Sequence, residues 1–328
     1  MRTVILIADV IPEFKNVSID DKTLECIPNT YFTQIQQALL SFAPNVIHYN
    51  SPVDFMNNIS KHKNDVVLSI WSGIGSKFRK SIVPAICEAY NICYVGADPY
   101  VHSISQDKYL TKIVCERYGL HSAKGILCEN EDDLLKISEL KFPIVVKPNF
   151  EGGSIGISEK SLHYTIDEAK KMIAHLLTRF KLPVLAEEYI EGYELSTSII
   201  GTRSRIDICE TTQLIINEVE YFYNQIYSYE PKVENPKCRS KKIATNLLPE
   251  NIMNIFKKIF LTLGKTELLR IDGRLDKNGE YRLIELSPDA YLGKRGTTTL
   301  CAKSVGYPYE KMLELLIKNA IEDYNKVG

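Results

Sequence analysis

Two acidic residues in the stretch RIDGRLDKNGEYRLIELS (270–287) sit where a core hairpin would place apolar side chains. Asp272 and Glu285 are flanked by leucine or isoleucine on either side of a turn-like DKNGE. Residues two apart on a strand share a face. Arg270, Asp272 and Arg274 then point one way, and Leu283, Glu285 and Ser287 share a face on the partner strand. One sheet surface carries Arg270, Asp272 and Glu285. Two readings fit: a solvated face with an ion pair, or buried carboxylates that need a counter-charge. A hard cation such as Mg²⁺ suits the second, because it takes one or two carboxylates together with phosphate oxygens.

Two other stretches carry chemistry of a related kind. In KPNFEGGSIGIS (147–158), a glycine-serine loop follows a strand and can turn backbone N–H groups towards an anion, with Lys147 as a nearby positive charge. The sequence lacks the GxxxxGK[ST] of a P-loop, and a plain turn is the simpler alternative. In LAEEYIEGYELS (185–196), Glu187 to Ile190 close a strand and Glu194 follows a glycine-containing bend. An acidic edge strand with solvated glutamates is the alternative there.

These stretches need a scaffold. The chain has 328 residues, enough for two or three domains. With 45% hydrophobic and 25% charged residues it has the balance of a soluble globular protein. A net charge of −1 gives no electrostatic reason to expect nucleic acid or an anionic membrane as partner. No apolar run reaches the roughly 18 residues of a membrane span, and MRTVILIADVIPEF reads as a first strand, not a signal peptide. The eight cysteines form no CxxC pair, so reduced thiols in the cytoplasm are expected. The six histidines show no metal-type spacing.

Residues 1–100 alternate apolar strands (3–10, 45–49, 65–71, 93–98) with helices (31–42, and 81–92 with a kink or start near Pro84), which predicts a small doubly wound α/β domain. Residues 101–190 predict an α+β domain: a helix over 105–120, a strand over 142–150, a helix over 165–180 capped by Thr165, and a strand over 182–190. Residues 191–328 predict antiparallel strands, a mobile loop at 228–248 by composition, a helix over 249–264 stopped by Gly264, the opening hairpin, and a helix over 306–324.

In this order the motifs resemble the ATP-grasp fold, and within it the D-alanine–D-alanine ligase branch. FPIVVKPNFEGGSIGIS resembles the branch's P-x-I-V-K-P-…-E-G-S-S-x-G-x-S, and VLAEEYIEGYELS its V-L-x-E-x-x-x-x-G-x-E. RIDGRLDKNGEYRLIELS resembles its R-x-D-…-L-E-x-N, and YVGADPYVHSISQDKYLTK the Y-x-G-…-D-K-x-x-x-K that opens the central domain. The resemblance covers nearly the whole chain. It implies an N-terminal pre-ATP-grasp α/β domain, with central and C-terminal α+β domains clamping ATP. It implies an ATP- and Mg²⁺-dependent ligase (Mn²⁺ as an alternative) that joins a carboxylate to an amine through an acyl phosphate. The partners would be small-molecule carboxylates and amines. Ligases of this branch are often homodimers through the N-terminal domain.

By resemblance, Lys108 and Lys147 hold ATP phosphates, with Glu151, Gly153 and Ser154 in the phosphate loop. Glu187, Glu188, Tyr189 and Ile190 meet adenine, the strand end through its backbone, and Glu194 meets the ribose. Asp272, Glu285 and Ser287 take the metal-ligand places. Arg270 steadies the acyl phosphate and tetrahedral intermediate, and Lys232 reaches the γ-phosphate from the lid.

The substrate half departs from the branch. Ser287 stands where asparagine is usual, Val233 for the lid tyrosine, and Gly153 for the first serine of E-G-S-S. The N-terminal acid position reads Phe14 beside Glu13, although Val17 and Ser18 persist. H-G-x-x-G-E-D-G reads WSGIGSKFRKS, with Lys77, Arg79 and Lys80 nearby. N-x-x-P-G-M-T-x-x-S reads SPDAYLGKRG, with Tyr291 for glycine and Gly296 for serine, while Lys294 and Arg295 add positive charge at the acceptor end. GTTTL opens a helix whose N-terminus suits a carboxylate. These losses argue against D-alanine as both substrates, and the basic KFRKS suggests an anionic or non-amino donor unless it is only a solvated loop. The rivals are a divergent D-alanine–D-alanine ligase of peptidoglycan synthesis and a non-catalytic ATP-binding protein. Cys301, just after the GTTTL helix start, is expected to be buried, with a thiol pKa lowered by the helix start as the alternative, and Cys238 to be an exposed bystander in the lid.

Overall fold

The computed structural model describes residues 2–12, 25–73, 76–228 and 236–327. Continuous β-branched runs near the start have both faces to bury, so they form parallel strands. These elements are β1 (Val4–Ile7), β2 (Val10–Ile11), β3 (Ile27–Pro28), α1 (Asn29–Leu40), β4 (Val46–Tyr49), α2 (Pro52–Asn57), β5 (Val66–Ser69), α3 (Ile82–Ala89) and β6 (Cys93–Val95). The sheet order is β4-β1-β5-β6, all parallel. Helix α3 starts at Ile82, which puts Pro84 in its first turn, where a missing N–H costs no helical hydrogen bond.

The helix expected over 105–120 is two helices, α4 (Pro99–Gln106) and α5 (Lys108–Glu116). Asp107 breaks them apart. Its backbone is extended, and its side chain caps α5 by accepting from the Leu110 N–H at 3.0 Å and from Asn149 Nδ2 at 2.8 Å. Next come β7 (Gly125–Cys128), β8 (Ile144–Pro148), β9 (Leu162–His163), α6 (Ile166–Phe180) and β10 (Val184–Glu188). The order β7-β10-β8-β9 is antiparallel, with the apolar face of α6 on one side. Thr165 caps α6 as the sequence predicts, and the cap is a reciprocal box with Glu168.

The remaining elements are β11 (Gly192–Thr202), β12 (Arg205–Ile216), β13 (Tyr221–Phe222), β14 (Arg239–Ile243), α7 (Glu250–Thr262), β15 (Leu268–Leu275), β16 (Tyr281–Ser287), α8 (Thr297–Ser304) and α9 (Tyr309–Val327). They build an antiparallel sheet in the order β14-β12-β11-β15-β16. Helix α7 and the helices α4 and α5 share its core. Helix α9 returns to the N-terminal sheet and buries Met312, Leu313, Leu316 and Ile317 with Val4, Leu6 and Leu68. Composition made 228–248 a mobile loop, but Arg239–Ile243 pair with β12 as a strand. The ladder satisfies its backbone, which a count of lysines and prolines does not register.

The hairpin of β15 and β16 differs from a simple alternation. Asp272 pairs with Glu285 and Arg270 with Ser287, but Gly273 pairs with Leu283, so Ile284 is an extra residue in a bulge. The bulge shifts the phase. Leu283 and Leu286 both enter the core, and Leu283 does not share a face with Glu285. Gly273 makes this possible: a Cβ there would lie 2.4 Å from the Arg282 carbonyl oxygen. Gly273→Ala is therefore expected to destabilise the fold by about 2 kcal/mol. Thermal denaturation checks this, and an unchanged melting temperature would contradict it.

Candidate active site

The two antiparallel sheets and the N-terminal unit enclose a cavity of about 1120 Å³. Apart from Lys232, every residue the sequence singled out for the site lines it: Arg270, Asp272, Glu285 and Ser287 from the hairpin; Lys108 and Lys147; Glu151, Gly153 and Ser154 from the glycine loop; Glu187 to Ile190 and Glu194; and Lys294, Arg295 and Gly296. Lys232 and Val233, and likewise Glu13, Phe14, Val17 and Ser18, lie outside the described residues.

The hairpin face holds one compact charge group. Arg270 Nε donates to both Asp272 oxygens at 2.9 Å, and its Nη2 reaches Asp272 at 2.6 Å and Ser287 Oγ at 3.2 Å. Glu285 lies 3.7 Å from Arg270 and 3.9 Å from Lys108 Nζ. Burial works against the Arg270 charge, yet Asp272 and Glu285 outweigh it and raise its pKa. Burial pulls the Lys108 pKa down, and Glu285 offsets only part of that. Two in-register carboxylates with a hydroxyl beside them form an all-oxygen donor set, which fits a hard divalent cation completed by phosphate oxygens. Among the described residues no cluster of three or more acidic, histidine or cysteine side chains forms a self-sufficient metal cage.

Opposite this face, Glu187 is clasped by Lys112 and Lys147. Burial opposes the Glu187 charge, but the two ammonium groups prevail and its pKa falls to about 2. Lys112 sits one helical turn after Lys108 in DKYLTK; that spacing was the available signal for it. Lys108 donates to the Glu151 carbonyl oxygen, so the helix start is tied to the glycine loop. In that loop Gly153 and Ser154 take left-handed φ of +64° and +67°. A serine there is uncommon and marks a loop held in shape by its surroundings.

At the end of β10 the backbone N–H groups of Glu188 and Tyr189 already donate to the Lys124 and Pro143 carbonyls. Those two amides are therefore already committed within the protein. Arg274, which the sequence reading left without a role, grips Glu194 through Nε and Nη2 at 3.1 and 2.7 Å and the Ile190 carbonyl at 2.6 Å.

The KFRKS loop is not a solvated loop. Arg79 is buried and bridges Glu25 at 2.5 Å and Glu151 at 2.9 Å, while Lys80 pairs with Asp289 at 3.0 Å. The carboxylates neutralise Arg79 and Lys80, while Lys77 lies over the Phe78 and Phe150 rings. Glu25, 54 residues from Arg79, had no local signal. Cys301 is buried with its thiol pushed up to about 12 by desolvation. Cys238 is half-buried beside Leu214 and Phe222, not an exposed bystander. The histidines His62, His102 and His163 are buried.

Residues 118–318 match the family model described as D-ala D-ala ligase C-terminus, well over half of the chain. The chain belongs to the D-alanine–D-alanine ligase family. The ligase is 24% identical over 262 residues to a D-alanine–D-alanine ligase of Actinobacillus succinogenes, covering 78% of this chain and 80% of that protein. It is 28% identical over 238 residues to the same enzyme of Nitrosospira multiformis, covering 70% and 72%. A D-alanine–D-alanine ligase of Bacillus anthracis, solved in complex with ATP, shares the fold with a TM-score of 0.72 at 20% identity, over 100% of this chain and 99% of that one. The fold is ATP-grasp, and the chain is an ATP-dependent carboxylate–amine ligase. No helix among the described residues is long and apolar enough to cross a membrane.

The Glu187 clasp has a pH signature. Its folded pKa of about 2 lies below the ordinary 4.5, so the ionised form stabilises the fold. That contribution is present above about pH 4.5 and is lost as the pH falls through that value towards 2. Glu187→Gln leaves two buried lysines unpaired and is expected to cost about 3–5 kcal/mol at neutral pH. Denaturant titrations should show the gap between wild type and variant narrowing below pH 4.5. A gap independent of pH would contradict the clasp.

Proposed function

We propose that this ligase activates an amino acid or related carboxylate with ATP and Mg²⁺, and joins it to an amine other than free D-alanine. What supports this is the Arg270–Asp272–Glu285 group on one sheet face, with Lys108 beside it and the glycine loop adjoining. Lys108 and Lys147 would hold the phosphates against the glycine loop. Glu187 to Ile190 would hold adenine, and Glu194, fixed by Arg274, the ribose. Asp272 and Glu285 would hold Mg²⁺, with Ser287 at the second ion's place, and the ion would supply charge neutralisation at the β- and γ-phosphates.

The donor carboxylate attacks the γ-phosphorus, and the bond to the β,γ-bridging oxygen breaks to give an acyl phosphate and ADP. The amine then attacks the acyl carbon, phosphate leaves, and the amine proton is lost to solvent. Neither step needs a nucleophilic side chain, since phosphoryl transfer depends on positioning and charge stabilisation. Arg270 would face the charge that develops on the acyl phosphate and the tetrahedral intermediate. Its salt bridge to Asp272 pre-aims the guanidinium.

Tyr291 favours a substrate other than D-alanine. It stands where the branch has glycine, and its ring, tilted 39° to that of Tyr31 at 4.4 Å, would occupy space a glycine leaves open. Trapping the acyl phosphate with hydroxylamine over a panel of carboxylates identifies the donor without knowledge of the acceptor. D-alanine giving the highest turnover as both donor and acceptor would refute the substrate assignment.

Arg270→Ala is expected to keep nucleotide binding and lower product formation by about 100-fold or more. Equal loss of both would make Arg270 a structural residue. Asp272→Asn and Glu285→Gln are expected to cut kcat by about 100-fold and to raise the Mg²⁺ concentration for half-maximal activity. Unchanged metal dependence in both variants would rule these acids out as ligands.

A further inference from the structure

Arg274 stands directly across the ladder from Glu194, its partner in the register of β15 with β11. Opposed residues on neighbouring strands carry their side chains side by side. Two residues earlier on the same face, Asp272 pairs with Ser196, and all four of these residues line the cavity.

The Glu194 carboxylate is held unevenly. Nε and Nη2 of Arg274 both donate to one oxygen, Oε2, at 3.1 and 2.7 Å. A guanidinium that met the acid edge to edge would engage both oxygens. Here, among the described residues, no group donates to Oε1. The Glu194 side chain keeps 14% of its surface exposed on the cavity, so Oε1 is the oxygen left for a ligand. Arg274 balances the charge of the acid, which suits Oε1 to a neutral donor such as a hydroxyl rather than to a further cation.

The guanidinium cannot follow a ligand. Nη1 donates to the Ile190 carbonyl at 2.6 Å and Nη2 to the Gln225 carbonyl at 2.9 Å. Its central carbon lies 4.9 Å from the Tyr189 ring centre and 5.4 Å from that of Phe222. The Tyr189 hydroxyl donates to the carbonyls of Phe222 and Gln225, which closes the group. These contacts hold both the plane and the edge of the buried guanidinium. Its N–H groups are spent on protein oxygens, which leaves little to offer a phosphate.

We propose that Arg274 is the positioning residue for selection of the nucleotide sugar: it clamps Oε2 of Glu194 and so presents Oε1 to a ribose hydroxyl, and the site takes ribonucleotides in preference to deoxyribonucleotides. This rests on the function proposed above, with Glu194 at the ribose, and adds the residue on which the selection depends.

The test is calorimetric binding of ATP, 2′-deoxy-ATP and 3′-deoxy-ATP to the full-length protein, with magnesium present and no donor. The wild type is expected to bind ATP about tenfold or more tighter than at least one deoxy analogue. The weaker analogue identifies the hydroxyl that Oε1 receives. Glu194→Gln, whose amide oxygen Arg274 can hold while the NH₂ faces the ligand, is expected to bring that ratio below about threefold. Arg274→Met is expected to do the same by weakening ATP while the discriminated analogue binds as before. Arg274→Lys keeps the charge without the fork and is expected to fall between the two. Thermal denaturation checks that the variants fold, and Arg274→Lys decides alone if Arg274→Met does not. A purely structural arginine weakens all three nucleotides alike and leaves the ratio at its wild-type value, which overturns the inference. Equal binding of the three by the wild type, or a ratio that survives Glu194→Gln, removes Glu194 from the ribose and overturns it as well. Hydroxamate formation reports separately on the ligase function, so either failure is distinguishable from a failure of that function.

Discussion

Ionised carboxylates inside a sheet need positive charge at contact distance, and most of the site follows from that requirement. Asp272 and Glu285 stay on a largely buried face because Arg270 and Lys108 stand beside them. Removing either partner would leave a charge whose desolvation is not repaid. The same requirement places Lys112 and Lys147 around Glu187, and Arg274 against Glu194. The result is a cavity wall of paired charges. Nucleotide phosphates and a divalent cation can enter by exchanging partners, without new charges having to be buried.

Several of these pairs also join parts of the chain that have separate cores. Arg79 and Lys80, from the N-terminal unit, reach Glu151 of the glycine loop and Asp289 beyond the hairpin. Lys265 binds Glu267 and the carbonyls of Tyr94 and Gly96, fixing the last parallel strand to the start of β15. Ion pairs of this kind are directional, unlike apolar contact, so they set how the walls face one another. The basic loop of the sequence is thus a connector, and the charge of Arg79 and Lys80 is consumed in that role.

The sequence made the hairpin acids, the strand and helix order and the capped helix at Thr165 legible, because each is governed by spacing of a few residues. Features set by distant partners were not legible. The bulge at Ile284 changes which residues face the core, and it depends on how β15 and β16 register, with Gly273 admitting the Arg282 carbonyl. The helix break at Asp107 depends on Asn149, 42 residues away. Strand β14 looked like loop because its basic composition hides a ladder partner in β12. Arg79 and Lys80 read as free positive charge because nothing local announces Glu25 or Asp289.

That last case shows how charge in a pocket has to be counted. Lysine and arginine near a cavity say little about the ligand until their carboxylates are subtracted. For Arg79 and Lys80 the subtraction leaves nothing positive, because Glu25, Glu151 and Asp289 take up their charge. Arg239, on an edge strand, and Arg295, on a loop, line the same cavity, and among the described residues neither has a carboxylate at ion-pair distance. Arg239 spends part of its N–H edge on the Tyr227 hydroxyl, so even a guanidinium without a carboxylate is not wholly free. The charge left for a ligand is therefore a property of pairing across the fold, and composition alone does not reveal it.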